Sequence, residues 1–317
     1  MRAAVIRAYG GPDVVRIETL PAPVPRKGLV GITVKAAAVT RGDARIRAAD
    51  APPGLSAGLR LAFGLRRPRQ PVLGMFFSGR LTEAALSLPQ DARVFGNTGM
   101  AMAAHAEALI IKPERILPIP DGLGDTEAAA LFFGGLTAAD FLIDKAGIGP
   151  GARLLINGAT GEVGCAAIQI ARFCGAKITA VCRAQNHDLA RDLGAHHLHD
   201  YRDGAPKGQW DVIMDIAGTL PWRQAEALLA PGGMLLPVTA SLGTMIGAML
   251  RPKRRDGRRV SGTSSADGSD AMRRVLDLHS RGALRPVIGA TFALEHIEKA
   301  HALAENGHKR GSVVVVM

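Results

Sequence analysis

The chain has three cysteines in 317 residues, Cys165, Cys174 and Cys182, and none forms a C-x-x-C pair. A disulfide framework and a structural zinc lobe are therefore not indicated, and a reducing compartment, the cytoplasm, is the expectation. Aromatic residues are also few: nine Phe, two Tyr and two Trp. This argues against a nucleic-acid binder that stacks bases on an aromatic platform. The opening Met1–Ile6 runs into Tyr9-Gly10-Gly11-Pro12 without the apolar core of a signal peptide. An unbroken membrane-length run is missing as well. Pro231–Leu250 carries no charge and precedes Arg251, Lys253, Arg254 and Arg255, but Pro231, Gly232, Gly233, Pro237, Gly243 and Gly247 interrupt it. A strand followed by a loop is expected there, with no transmembrane span. Acidic residues are outnumbered, 28 against 39 Lys and Arg, for a net charge of +11. Such a surface favours anionic ligands, yet nothing supplies base-specific readout, so specific nucleic-acid binding ranks last.

What is present is an ordinary globular composition, 47% hydrophobic and 21% charged, long enough for two domains. Residues 1–118 read as mostly strand: Val5–Arg7, Val14–Ile17 and Leu29–Ala36 are β-rich runs bounded by Gly and Pro clusters. Residues 51–71 form a Pro/Gly/Arg-rich excursion. From Asp125 the texture changes. A capped helix starts there, and a second helix is expected from near Leu136 to Gly147. Strands then alternate with helices: Arg153–Asn157, helix Val163–Cys174, Lys177–Cys182, Asp211–Asp215 and Met234–Val238. This spacing predicts right-handed βαβ units and a parallel sheet. A helix over Leu294–Glu305 and the run Val313–Val316 are expected to return to the first domain.

The strongest chemical signal is Asn157-Gly158-Ala159-Thr160-Gly161-Glu162-Val163-Gly164, between an apolar strand and a helix. Glycines at 158, 161 and 164 permit a tight turn, close approach of a pyrophosphate and helix–strand packing, with helix N–H groups facing the phosphates. Glu162 is expected to face solvent, because an inward carboxylate would oppose a phosphate. An acid about 20 residues on would select NAD. The next strand instead ends Cys182-Arg183-Ala184, and Arg183 can fork onto a 2′-phosphate, which favours NADP(H). His196, His197 and His199 alternate on one strand and so do not converge on a metal.

With these motifs the sequence resembles the zinc-independent quinone oxidoreductase-like branch of the medium-chain dehydrogenase/reductase superfamily. The likeness runs nearly end to end. It includes Met1–Val5 with Tyr9–Pro12, Ala37–Asp43, Pro71–Gly74 with Ser78-Gly79, Asp91–Gly96, Ala128–Leu131 with Gly135–Ala138, Leu193–Ala195 with Asp200-Tyr201, Pro231–Gly233, and Gly307-His308 with Gly311–Val314. The resemblance implies an α/β fold of two parts. A GroES-like β-rich domain would comprise 1–118 and 284–317, and a Rossmann, doubly wound parallel-sheet domain 119–283. NADPH would lie in the cleft between them. Thr137 and the loop Gly158, Ala159, Thr160, Gly161, Glu162, Val163 and Gly164 would approach it. Arg183 and Tyr201 would frame its adenosine end. Asp215 to Gly218 and Pro237, Val238 and Thr239 would lie near the nicotinamide half. Relatives often pair through the edge of the cofactor domain, so a homodimer is implied.

The departures are specific. Zinc-dependent relatives use Cys near position 40 and Gly-His-Glu near 74, where this chain has Thr40 and Gly74-Met75-Phe76. No catalytic zinc site can be assembled from those side chains. Met75 and Phe76 predict an apolar substrate pocket. No tyrosine lies between residues 10 and 200, so Thr40 is the candidate donor to a substrate oxygen, and the proton would come from water. Asp43 is read as a turn or cap residue. Segments 59–69 and 241–259, apolar then basic, are candidates for a lid or a membrane edge. The expected function is NADPH-dependent hydride transfer to a quinone or α,β-unsaturated carbonyl compound. The rivals are an enoyl reductase of a biosynthetic pathway and a non-catalytic NADPH-binding protein.

Overall fold

In the computed structural model residues 1–51, 54–239, 256–261, 267–307 and 309–317 are described. An antiparallel pair, β1 (Arg2–Ile6) and β2 (Val15–Thr19), opens the chain. Then come β3 (Val30–Ala38), β4 (Phe76–Leu81), β5 (Arg93–Asn97), β6 (Ala108–Ile111) and β7 (Ile116–Pro118). Two strands from the far end of the chain, β14 (Ile288–Ala293) and β15 (Ser312–Val316), join them. The order is β14-β15-β3-β4-β5-β7, with β6 also on β3. The last strand lies inside this sheet because it is apolar on both faces: Val313, Val314 and Val315 are all fully buried. Ala36 and Val314 meet Ala129 and Ala130 of the next layer, where small side chains let helix approach sheet.

Two helices interrupt this half, α1 (Arg41–Ala48) and α2 (Ser56–Phe63). The strand-dominated reading of 1–118 missed both, since each is only two turns long. The first exists because Thr40 and Asp43 cap it reciprocally.

The second half is parallel throughout. Strands β8 (Arg153–Asn157), β9 (Lys177–Cys182), β10 (His197–Asp200), β11 (Trp210–Asp215), β12 (Leu229–Pro237) and β13 (Arg259–Val260) are ordered β10-β9-β8-β11-β12-β13. The order reverses between β8 and β11. In open sheets of this kind, the crevice at the carboxyl ends of the reversing strands is the natural ligand site. Helices α4 (Glu162–Phe173), α5 (His187–Leu193) and α6 (Trp222–Leu228) accompany these strands. Pro231–Pro237 of the uncharged run is strand, while 240–250 and most of the segment 241–259 lie outside the described residues.

Helix α3 (Asp125–Ala139) joins the halves, continuing into a π-helical turn over Asp140–Lys145. This corrects the expectation of two helices divided near Leu136. Gly134 and Gly135 do not break α3; they admit neighbours. A Cβ on Gly134 would lie 2.5 Å from the Glu162 carbonyl, and one on Gly135 would lie 2.9 Å from Val275 of α7 (Ser269–Ser280). Phe132 stacks on Phe95 of β5 at 3.9 Å, and Phe133 meets Phe76 of β4 edge-on at 5.9 Å, so aromatic contacts seat α3 on the first sheet. The stretch Asp125–Lys145 is long and apolar enough to cross a membrane, but 78% of its most apolar window is buried inside the protein.

Candidate active site

The turn after β8 is built by different demands at each glycine. Gly158 adopts φ +87°, a left-handed conformation that favours glycine. Its amide and that of Ala159 both donate to the Val181 carbonyl at 3.1 Å, suspending the turn from β9. Gly164 is needed for packing, since a Cβ there would sit 2.3 Å from the Gly158 carbonyl oxygen. Gly161 is different. Its backbone is extended, φ −75° and ψ 177°, and a Cβ would meet nothing closer than 3.7 Å. Nothing within the chain requires glycine at 161. Val163, the second residue of α4, is buried in the core behind the turn.

Asn157 ties this turn to the one after β11. Its side-chain amide donates to Asp215 Oδ1 at 2.8 Å and to Thr219 Oγ1 at 2.9 Å, and its carbonyl accepts from Ile216 and Ala217. Asp215 also accepts from the Gly218 amide at 2.9 Å and the Leu220 amide at 3.0 Å. Its carboxylate is thus committed to shaping its own loop. Burial pushes its pKa up, against the hydrogen bonds from Leu220, Asn157 and Gly218. Gly218 is exposed and faces Thr239, whose Oγ1 donates to the Ile216 carbonyl at 3.3 Å. Pro237 ends β12, and the Val238 amide donates to the Asp215 carbonyl. Asp215, Gly218, Pro237, Val238 and Thr239 therefore share one rim of the crevice.

At the end of β9, Arg183 Nε donates to the Tyr201 hydroxyl at 2.7 Å. Tyr201 is half exposed, and no carboxylate occupies the strand end itself. Nearby Asp200 is bound by Arg202, which holds its carboxyl well below the usual range, and it accepts from the Ala184 amide. Asn186, buried, donates to Thr160 Oγ1 at 3.2 Å and connects this corner to the glycine turn.

Glu162 corrects the expectation of a solvent-facing carboxylate. It is 5% exposed, and its Oε2 accepts from Lys309 Nζ at 2.9 Å. Burial pushes its pKa up, and the Lys309 ammonium works in the opposite direction. The C-terminal tail brings that partner. The Gly311 amide donates to the Thr160 carbonyl at 2.9 Å, Gly161 bridges to Gly311, and Ser312 Oγ donates to the Ala130 carbonyl at 3.1 Å.

Thr40 is likewise not the free donor expected. It is fully buried, its hydroxyl donates to Asp43 Oδ2 at 2.7 Å, and it accepts from the Asp43 amide at 3.2 Å. Asp43 also accepts from the Thr40 amide at 2.8 Å and the Gly74 amide at 3.1 Å. A hydroxyl has one hydrogen to give, and here it goes to the cap. Thr137 shows the same pattern, donating to Phe133 of its own helix at 2.9 Å. Phe76 is turned into the core against Phe133, so of the two expected pocket residues only half-buried Met75 remains partly open, packed beside Gly42. No group of three or more His, Cys, Asp or Glu suited to a metal occurs among the described residues. Two residues escaped the sequence reading. Asn157 opens the glycine motif and carried a signal by position. Lys309 had none, because its partner is 147 residues away.

The zinc-binding dehydrogenase family model matches residues 193–315. A chloroplastic quinone oxidoreductase of Triphysaria versicolor is 26% identical over 99% of this chain and 98% of its own length. A mitochondrial NAD(P)H oxidoreductase of Drosophila melanogaster is 26% identical over 77% of this chain and 68% of its own. Among solved structures, the quinone oxidoreductase from Coxiella burnetii superimposes with a TM-score of 0.86 at 26% identity, covering 100% of this chain and 99% of that one.

Proposed function

The chain belongs to the quinone oxidoreductase branch of the medium-chain dehydrogenase/reductase superfamily, and from that premise we propose that it reduces a quinone or an α,β-unsaturated carbonyl compound with NADPH and without zinc. The observation that carries the cofactor reading is Gly161, a glycine whose Cβ position is open in the chain itself. It lies at the crevice where the strand order reverses. There the pyrophosphate would meet the amides of the turn over Gly158–Gly164 and the start of α4. Arg183, oriented by Tyr201, would take the 2′-phosphate. Gly218 and the rim Pro237–Thr239 would hold the other half of the dinucleotide.

NADPH, when bound, supplies the hydride. The protein orients and encloses the acceptor, with Met75 offering an apolar contact rather than a metal ligand. Thr40 and Asp43 keep the first turn of α1 rigid, and the proton comes from water. Zinc independence rests on Thr40 and Met75, which bring neither thiolate nor imidazole, despite the name of the matching family model. The three cysteines support a reducing, cytoplasmic setting. Cys165 and Cys182 are buried thiols, pushed up to about 12 and about 11 by burial. An enoyl reductase would use the same cofactor geometry and differ only in acceptor.

The test is NADPH oxidation against quinones, enones and enoyl thioesters, repeated after exhaustive chelation. Turnover with none of them, at saturating NADPH, would remove the reductase reading and favour the non-catalytic binding protein. Arg183→Ala should weaken NADPH more than NADH by about 1–3 kcal/mol, the scale of hydrogen bonds to a charged group. Equal wild-type affinity for the two coenzymes would refute the role given to Arg183.

A further inference from the structure

From residue 51 to residue 82 the chain contains no Asp or Glu, whereas Arg60, Arg66, Arg67, Arg69 and Arg80 all fall there. The centre of this stretch is α2 and the turn that follows. Phe63 is buried and Leu59 packs against the same core, so α2 is anchored through one face. Leu61 and Leu65 project the other way, 64% and 63% exposed. They are held there by structure. Arg60 donates to the Leu65 carbonyl at 3.1 Å, and Arg69 to the Leu61 carbonyl at 3.2 Å. The Tyr9 hydroxyl donates to the Gly64 carbonyl at 2.7 Å, with the Arg60 guanidinium over the Tyr9 ring. Gln70 donates to the Ala101 carbonyl at 3.1 Å, joining this segment to the turn Gly99–Ala101, where Met100 is 65% exposed. Arg66 and Arg67 are exposed and make no hydrogen bond or ion pair with their side chains among the described residues.

A fixed set of protruding apolar side chains, flanked by unpaired guanidiniums in a segment without carboxylates, matches one kind of partner. Nucleic acid would satisfy the arginines but leave the leucines uncovered. Side chains exposed by nearly two thirds protrude; they do not line a groove for a peptide. An anionic lipid surface accepts both features at once, apolar tips at the acyl boundary and cations at the phosphates. We infer that this face seats on an anionic bilayer, with Leu61 and Leu65 entering the interface, Met100 beside them, and Arg66 and Arg67 on lipid phosphates. The inference stands apart from the acceptor proposed above.

The test is co-sedimentation of the full chain with phosphatidylcholine vesicles, with and without phosphatidylglycerol. Binding should require phosphatidylglycerol and weaken with added salt. Leu61→Glu/Leu65→Glu and Arg66→Ala/Arg67→Ala should each weaken it by about tenfold or more. Arg26→Ala/Lys27→Ala removes the same charge at another exposed site and should leave binding within about twofold. Thermal unfolding midpoints equal to wild type establish that each variant is folded. Four results would overturn the inference: no binding to anionic vesicles, an equal loss in the control variant, indifference to the leucine substitutions, or capture of DNA in place of vesicles. A concentration-dependent dimer abolished by Leu61→Glu/Leu65→Glu would overturn it as well, assigning the face to a second copy. None of these results bears on NADPH oxidation, which is measured separately in solution.

Discussion

The turn over Gly158–Gly164 and the cap over Thr40–Asp43 are both tight strand-to-helix junctions rich in polar groups, and they differ in what they leave available. Around Thr40 every hydrogen-bonding group named is committed: the hydroxyl and amide to Asp43, and Asp43 onward to Gly74. Around Gly161 there is open space and a helix start that follows an extended residue and has no side-chain cap. A junction that serves the fold closes on itself, because a buried donor left unpaired costs as much as the fold gains elsewhere. A junction that serves a ligand leaves volume and donors for something outside the chain.

That contrast can be broken most forcefully at Asp43. Asp43→Ala leaves three donors without their acceptor, and unfolding free energy should fall by about 3 kcal/mol or more, read by urea denaturation. A loss below about 1 kcal/mol would mean that the cap is not what holds α1. Thr40→Ser keeps the cap and should retain turnover.

Gly161→Val is the matching test of the open junction. NADPH affinity should fall by about two orders of magnitude, the loss of one or two charged hydrogen bonds, while stability changes by less than about 1 kcal/mol. Calorimetric titration and thermal unfolding separate the two effects. A large drop in stability with little change in affinity would assign the glycine to the fold.

The glycine turn is closed on its far side by the tail, and Glu162→Ala examines that closure. Removing the carboxylate strands a nearly buried Lys309, and about 2–3 kcal/mol of stability should be lost. Glu162→Met/Lys309→Met, which removes both charges, should recover most of it. If Glu162→Ala is instead neutral, the pair does not fasten the tail.

The smallest expected effect concerns the buried surroundings of the cap. His301 stacks edge-on against His105, which donates from Nε2 to the Ala38 carbonyl, and Arg47 lies beside them. Burial, His105 and Arg47 all hold the His301 pKa well below its ordinary 6.5. The unfolded chain therefore binds a proton that the folded one refuses, and stability should decline as pH falls below about 6.5. His301→Leu should flatten that decline between about pH 7 and pH 5. An unchanged pH profile would show that His301 is not its source.

Much of this was legible in the residues. The strand at Lys177–Cys182 falls where the strand–helix alternation placed it, and β8 and β15 follow from short apolar runs. The glycine turn could be located because its signal is local: three glycines between a strand and a helix. The helices α1 and α2 were missed because two turns give too little periodicity to see. The second helix expected from near Leu136 is instead the continuation of α3, whose Gly134 and Gly135 admit neighbours that only the tertiary structure brings near. Thr40 carried the right residue type for a donor, but the same type is the best cap, and only its geometry chooses between them.

The sequence by itself determined the parallel alternation, the position of the dinucleotide-type turn and the absence of an acid at the end of β9. Each is written in neighbouring residues, whose spacing fixes backbone conformation directly. Tertiary structure alone decided that Glu162 is buried on Lys309, that the Thr40 hydroxyl is closed within its cap, and that Arg60 and Arg69 hold Leu61 and Leu65 outward. In each case a polar group's role depends on which partner reaches it first, and for Glu162 that partner arrives from 147 residues further along the chain, where no local pattern records it.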